Sequence, residues 1–343
     1  MVLEGEQEVR RVLAKGDSQK CSQRRPPDEI VAMRASYVRV AMLFAIFTTA
    51  SGLCTQPPIT LTSLTRRASA ISETWEQTAL SSEFDSVYLQ DGTERGWANW
   101  LIEGRLMLGQ YPHCQPAVPG PTGSDAKDHL RRLLDTGIDC FACLQAEVPP
   151  QDTTAGWVQF PVKDGFKEGV LLQDDDARSR FPAPFVRYYE DVYNIAMEVS
   201  GGQWLGPSYL HCPIEDLSLP GGGLDENAPL LKLLDEMLDH YETAGSGAIY
   251  LHCWGGRGRA GLVGACLLAL MRPQLTPQQV LDAVQGGYDT RAGASKMGGA
   301  LKRSPQTEPQ RGFVKSFVNA AKAARRFDND QAMAEGGMPK GFL

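Results

Sequence analysis

The chain has 343 residues, is 42% hydrophobic and carries a formal charge of −7. That length suits one soluble α/β domain with extensions, and the acidic balance argues against a nucleic-acid-binding protein. Eight cysteines without paired spacing do not make a disulfide framework.

Taken in chain order, residues 1–32 mix acidic, basic and polar side chains and are expected to be disordered or mis-assigned, with Met33 as an alternative start. Arg34 and Arg39 then precede the apolar run Val40 to Phe47, and the small residues Ala50, Ser51 and Gly52 follow it. The run is too short to span a bilayer and has the form of a signal-peptide core. Thr55 to Ser72 is rich in Ser, Thr and Pro, holds Arg66 and Arg67 and lacks acid, as transit peptides do. Residues 33–80 therefore read as a targeting region, similar to the bipartite address of plastids acquired by secondary endosymbiosis. The other reading is a buried or disordered N-terminal segment of a cytosolic protein.

A folded catalytic domain is expected over residues 95–325. Apolar spacings of three and four predict helices at Asp125 to Thr136, Phe181 to Val199, Asn227 to Tyr241, Thr276 to Gln285 and Glu308 to Arg325. Short apolar runs predict strands at Ile138 to Leu144, Trp157 to Val162, Ser208 to Ile214 and Ala248 to Leu251. Helices alternating with buried strands imply an α/β sandwich with a mostly parallel sheet. The acidic run Gln173 to Asp176 reads as a solvated helix start or loop. Cys140 and Cys143 lie three apart in a strand, so they point to opposite faces and do not form a redox or zinc pair. Residues 326–343 are polar and Gly-rich and are expected to form a flexible tail.

The chemistry concentrates in Leu251-His252-Cys253-Trp254-Gly255-Gly256-Arg257-Gly258-Arg259-Ala260-Gly261. A strand leads into this segment and an apolar helix, Ala260 to Met271, leaves it. Gly255, Gly256 and Gly258 let successive backbone N–H groups turn inward around an anion, and the helix N-terminus adds positive potential. Arg259 can grip two phosphate oxygens through its planar fork, which lysine cannot. Surroundings of this kind favour thiolate over thiol at Cys253 and make it a nucleophile. A second His-Cys pair, His211-Cys212, is followed by neither Arg nor Gly in the corresponding places, so Cys212 reads as a buried strand residue.

This segment resembles the phosphate-binding loop of the cysteine-dependent protein tyrosine and dual-specificity phosphatases: His-Cys, five residues, Arg. The resemblance extends to His211-Cys212-Pro213-Ile214-Glu215-Asp216-Leu217-Ser218-Leu219-Pro220, similar to the acid loop of kinase-associated dual-specificity phosphatases, and to Gln306-Thr307-Glu308-Pro309-Gln310, similar to the water-positioning loop of classical tyrosine phosphatases. Asn99 to Pro112 resembles the opening strand of plant and bacterial members.

The resemblance implies a protein tyrosine phosphatase-like three-layer sandwich, a mostly parallel central sheet flanked by helices. It implies Cys253 as nucleophile, Arg259 as phosphate clamp, Asp216 as general acid and base, His252 as loop support and Gln306 as water positioner. Trp254, Gly255, Gly256, Arg257, Gly258 and Arg259 would bind phosphate. Glu215 and Asp225 compete with Asp216 for the acid role. No metal or cofactor is implied, and the expected partner is a phosphorylated protein; no nucleic acid and no stable membrane span are expected. A catalytic thiolate suits the reducing cytosol or plastid stroma.

Two departures from the pattern bear on function. The family usually places Ser or Thr after the arginine, where this chain has Ala260. That hydroxyl helps the thiolate leave, and loss of such a donor can cost on the order of 3 kcal/mol. The phosphoenzyme should therefore break down slowly, and a pseudophosphatase that only binds phosphate is an alternative. Arg257 occupies a position that is apolar in many tyrosine phosphatases and basic in phosphoinositide phosphatases of the family. It suggests either a phosphoinositide or other small phosphomonoester as substrate, or a structural ion pair.

Overall fold

A computed structural model of the chain describes residues 57–334, apart from 73–74, 76–77, 85–86, 89–93, 117–123, 163–164 and 205. The chain divides into two units, Met1–Pro57 and Pro58–Leu343, and the described elements belong to the second.

In chain order these are α1 (Leu61–Ser72), β1 (Leu80–Glu83), β2 (Val87–Tyr88), β3 (Glu94–Arg95), β4 (Ala98–Ile102), β5 (Leu106–Gly109), α2 (Ser124–Asp135), β6 (Ile138–Gln145), β7 (Val158–Val162), β8 (Gly165–Val170), α3 (Asp175–Arg180), β9 (Phe185–Val186), α4 (Tyr189–Val199), β10 (Ser208–Ile214), α5 (Pro229–Glu242), β11 (Ala248–His252), α6 (Arg259–Met271), α7 (Pro277–Asp289) and α8 (Glu308–Ala334). The main sheet has the order β1-β4-β5-β11-β6-β10. Strand β11 runs parallel to β5 and β6, and β10 runs parallel to β6; β4 and β1 join antiparallel at the other edge.

Alternation along the strands sorts side chains into two cores. Ile249 and Leu251 of β11 join Cys140, Ala142 and Leu144 of β6 in a core with α1, α5, α6, α7 and α8. Tyr250, Phe141 and Cys143 join the other core, with Leu130 and Leu133 of α2 and Val192 and Ile195 of α4. Helices thus cover both faces, the three-layer α/β arrangement expected, with a mostly parallel sheet. Cys140 and Cys143 fall in different cores, and burial pushes each thiol up to about 12. Burial likewise pushes Cys212 up to about 11, as befits a strand residue inside the core. Every residue of α6 is buried, which its near-continuous apolar sequence permits.

The structure moves several boundaries. Within the stretch read as a targeting region, Leu61–Ser72 forms α1, whose Leu64, Thr65, Ala68 and Ile71 are buried against the core, and Leu80–Glu83 pairs with β4. The packed unit therefore begins at Pro58 rather than near residue 95. Arg67 adds to the docking made by that buried face: it pairs with Asp235, Asp239 and Glu242 of α5. Residues 1–56 lie outside the described residues.

The strand at Val158–Val162 belongs not to the main sheet but to a separate antiparallel one, β7-β8-β9. The helix expected from Phe181 starts only at Tyr189, because Pro182 and Pro184 disfavour a continuous helix and Phe185–Val186 pairs with β8. Gln173 to Asp176 is a helix start, with the Asp174 side chain accepting from the N–H groups of Asp176 and Ala177. At the other end, α8 continues to Ala334, so residues 326–334 are helix rather than tail. Residues 335–343 lie outside the described residues. No helix among the described residues is long and apolar enough to cross a membrane.

If α1 is an integral part of this unit, truncating its buried Leu64 should lower the unfolding free energy by about 2–4 kcal/mol. Urea denaturation of Leu64→Ala measures this; an unchanged midpoint would mark α1 as dispensable.

Candidate active site

Strand β11 lies inside the sheet and ends at His252, so Cys253 emerges at the carboxyl ends of three parallel strands, where open α/β sheets place their sites. Cys253 is itself buried. The loop from Cys253 to Gly258 then turns into α6. Gly256 has φ +67°, and any Cβ there would collide with the Gly109–Gln110 peptide, so glycine is required on both counts.

Three carbonyls of the loop are held by partners from three other segments. Trp254 O accepts from Tyr111 N at 3.1 Å, Gly256 O from Arg291 Nη2 at 2.8 Å and Arg257 O from Ser304 Oγ at 2.9 Å. In a trans peptide the next N–H points opposite to the carbonyl. The amides of Gly255, Arg257 and Gly258 therefore face away from these partners, on the side of the cavity the loop lines. With the N-terminus of α6 beside them, these amides make an arrangement that can accept an anion.

Arg259 is 1% exposed. Its Nη1 and Nη2 meet the two carboxylate oxygens of Glu147 at 2.6 and 3.0 Å; Nη1 also donates to Ile214 O at 2.9 Å and Nη2 lies 3.1 Å from Asp216 Oδ1. Burial disfavours the guanidinium charge, but the Cys253 sulfur, Glu147 and Asp216 outweigh it and hold the pKa above its ordinary value. Asp216 is 51% exposed and lines the cavity with Cys253 and Arg259, whereas Glu215 and Asp225 do not.

His252 is buried, and its Nε2 lies 2.7 Å from Tyr188 Oη. Burial drives its pKa down to about 3, so the ring is neutral. The Trp254 ring stands edge-to-face on Phe181 and Phe185. Arg257 has no carboxylate partner among the described residues; its Nε donates to Gln306 Oε1 at 3.3 Å. Gln306 faces the cavity, and its backbone N–H and that of Thr307 donate to Gln310 Oε1, both at 3.1 Å. Gln310 Nε2 donates in turn to Ser218 O, linking this loop to the one that bears Asp216. Apart from His252 and Gly256, the residues expected from three separate sequence segments line one cavity of about 420 Å3. Ala260 lies just outside it, fully buried in the core.

Two participants are absent from the sequence reading. Glu147 follows β6 at the same carboxyl edge of the sheet, and that position after a buried strand was its one available signal. Arg291 is buried, donates to Asn99 Oδ1, Leu108 O and Gly256 O, and braces the loop from below. Burial pulls its pKa down from the ordinary guanidinium value. Among the described residues no cluster of three or more His, Cys, Asp or Glu side chains is placed to hold a metal ion.

Residues 218–314 match the family model described as PTP-SAK, Swiss Army Knife protein, DSP-PTPase phosphatase domain. Over residues 218–314 the chain is therefore similar to the phosphatase domain of the dual-specificity protein tyrosine phosphatases. The matched residues include Cys253, Arg259 and Gln306; Asp216 and Glu147 fall before them. No curated protein matches the sequence. Similar solved structures include Tk-PTP in its active form, with 18% identity over 63% of this chain and 92% of that one, at a TM-score of 0.33. Kinase associated phosphatase, with its catalytic-site cysteine replaced by serine, has 18% identity over 67% of this chain and 96% of that one, at 0.34. Trypanosoma brucei protein tyrosine phosphatase TbPTP1 has 12% identity over 84% of this chain and 93% of that one, at 0.36.

Glu147→Ala would strip the bidentate partner from a buried guanidinium. Unfolding free energy should fall by about 2–3 kcal/mol, the scale of hydrogen bonds to a charged group. Urea titration checks this, and a variant as stable as the parent would show that Asp216 and the Ile214 carbonyl suffice to hold Arg259.

Proposed function

We propose that the protein is a cysteine-dependent phosphomonoesterase working through a phosphocysteine intermediate. The reading rests above all on the cradle at Cys253, where inward-facing amides and Arg259 converge beside a sulfur. A phosphate dianion would seat its oxygens on those N–H groups and on Arg259. The Cys253 sulfur would attack phosphorus as the ester P–O bond breaks, and Asp216 would give its proton to the departing oxygen. Gln306 would then hold a water, Asp216 would take the water's proton, and attack on phosphorus would break the S–P bond and release phosphate. Because Asp216 shares Arg259 Nη2 before substrate arrives, an incoming phosphate competes for that donor and frees the carboxyl group to take up a proton and carry it to the leaving oxygen. His252, neutral and bonded to Tyr188, serves to hold the loop rather than to move protons.

The substrates implied by the resemblance are proteins phosphorylated on tyrosine, threonine or serine. A second reading, small phosphorylated molecules including phosphoinositides, is favoured by Arg257, which lines the cavity without a carboxylate partner. A phosphate-binding pseudophosphatase is the reading that Ala260 favours.

Turnover of an aryl phosphate separates enzyme from binder: Cys253→Ser should abolish it, and hydrolysis surviving that change would sink the mechanism. Asp216→Asn should slow turnover while leaving substrate binding in place; an unaltered rate removes Asp216 from its role. Ala260→Ser should raise steady-state turnover and diminish any pre-steady-state burst. A rate that stays level or drops counts against slow breakdown of the phosphoenzyme.

A further inference from the structure

The cavity above the phosphate loop, about 420 Å3, falls in the range of small-molecule sites and exceeds what one phosphoryl group fills. Among the described residues four arginines line it, Arg95, Arg257, Arg259 and Arg291, against one carboxylate, Asp216. Their roles divide. Arg259 is bonded to Glu147, Asp216 and Ile214 O, and Arg291 to Asn99, Leu108 O and Gly256 O. Arg257 engages only Gln306, and no carboxylate of the described residues pairs with it or with Arg95. Arg95 is nonetheless held in place. The neighbouring Gly96 N–H donates to Ala292 O at 2.9 Å, and its Cα abuts Arg291 and Ala292 so closely that no side chain fits. Two guanidinium groups therefore face the cavity with donors to spare, in a protein whose overall charge is −7. Such a local excess of one sign draws an anion.

An independent feature lies in the same cavity. Gln115 is 5% exposed, and its Nε2 donates to Gln110 Oε1, yet its Oε1 has no partner among the described residues. The buried Trp254 Nε1 has none either. Both residues line the cavity. Buried polar atoms left unpaired are costly, and these two belong to side chains that line the cavity. An amide oxygen and an indole N–H suit hydroxyl groups, one donating and one accepting.

We propose that the cavity is a two-phosphate site for a small polyol bisphosphate. The phosphate loop takes the scissile group, Arg95 and Arg257 take the second phosphate, and Gln115 and Trp254 take hydroxyls of the carbon skeleton. The proposal rests on reading Cys253 as a phosphatase nucleophile. The chemistry balances with water alone: the S–P bond forms as the C–O–P ester opens, Asp216 protonates the alkoxide, water releases inorganic phosphate, and the second phosphate leaves on the product.

The test compares the full-length protein and Arg95→Gln on a hexose bisphosphate, the matching hexose monophosphate, an aryl phosphate and a phosphotyrosine peptide. The wild-type protein should prefer bisphosphate over monophosphate in kcat/KM by about tenfold or more, the size of a charge-assisted contact. Arg95→Gln should bring that ratio near unity, and the ratio cancels any loss common to both substrates. A wild-type ratio near unity, a ratio unmoved by Arg95→Gln, or a peptide turned over faster than the bisphosphate would each overturn the two-phosphate site while leaving the phosphatase reading intact. If nothing is hydrolysed, the phosphatase reading fails and the site is judged by calorimetric titration of hexose bisphosphate into Cys253→Ser. Affinity weakened about tenfold by adding Arg95→Gln supports it; affinity unchanged, or no binding, overturns it.

Discussion

The site depends on keeping peptide carbonyls away from a place where an anion is to sit. A loop of five residues between Cys253 and Arg259 can present its N–H groups inward only if its carbonyls find donors outside. Tyr111 N, Arg291 and Ser304 supply those donors from three distant segments. The same crowding explains two of the glycines: the Gly109–Gln110 peptide approaches Gly256 so closely that a methyl group has no room, and the Ser304 hydroxyl approaches Gly261 in the same way. Arg259 poses the complementary problem of a positive charge taken out of water. An unpaired buried guanidinium would be strongly destabilising, and Glu147 offsets this through a two-point hydrogen-bonded pair. The cradle is thus preorganised by the fold before any phosphate arrives.

The acid loop is organised differently. Asp216 is half exposed, follows β10 at the sheet edge and precedes Leu217, a residue at φ +61°. Its ion pair with Arg259 is solvent-screened on one side and is therefore weak enough to be exchanged for a phosphate oxygen. The loop is nevertheless tethered, because Gln310 grips Ser218 O with its amide nitrogen and the Gln306 and Thr307 N–H groups with its amide oxygen. Displacement of Asp216 along its loop would therefore be felt at Gln306. The residue proposed for the first step and the one proposed for the second share a single buried glutamine.

The strand–loop–helix around Cys253 was legible in the sequence because its signal is local: strand, cysteine, glycines, arginine and helix are contiguous, and each residue type has a reason to be there. Most strands and helices were legible for the same cause, a periodicity that survives within one element. Glu147 and Arg291 were not, because their importance comes from which carbonyl or guanidinium they meet across the sheet, and nothing adjacent in sequence marks that. The helix Leu61–Ser72 was hidden behind its composition, since an acid-free Ser/Thr/Arg segment reads as an address until the acidic face of α5 that receives Arg67 is known. The last turns of α8 were hidden likewise: Arg66 reaches Asp328 there, a contact from the far end of the unit.

The electrostatics of the cavity follow from this division between bonded and unbonded groups. Burial removes His252 from the set of charges, leaving it neutral through the physiological range. Arg259 and Arg291 are fixed by the fold, and guanidinium groups do not lose their protons near neutrality. The field acting on the Cys253 sulfur is therefore set by amide dipoles, a helix terminus and arginines, none of which titrates with a modest change in pH. Arg95 and Arg257 add to that field without being needed to hold the loop. A fold requiring only a phosphate clamp could have left those two positions neutral. Among the described residues no carboxylate pairs with either of them, which is the observation on which the proposed second phosphate site rests.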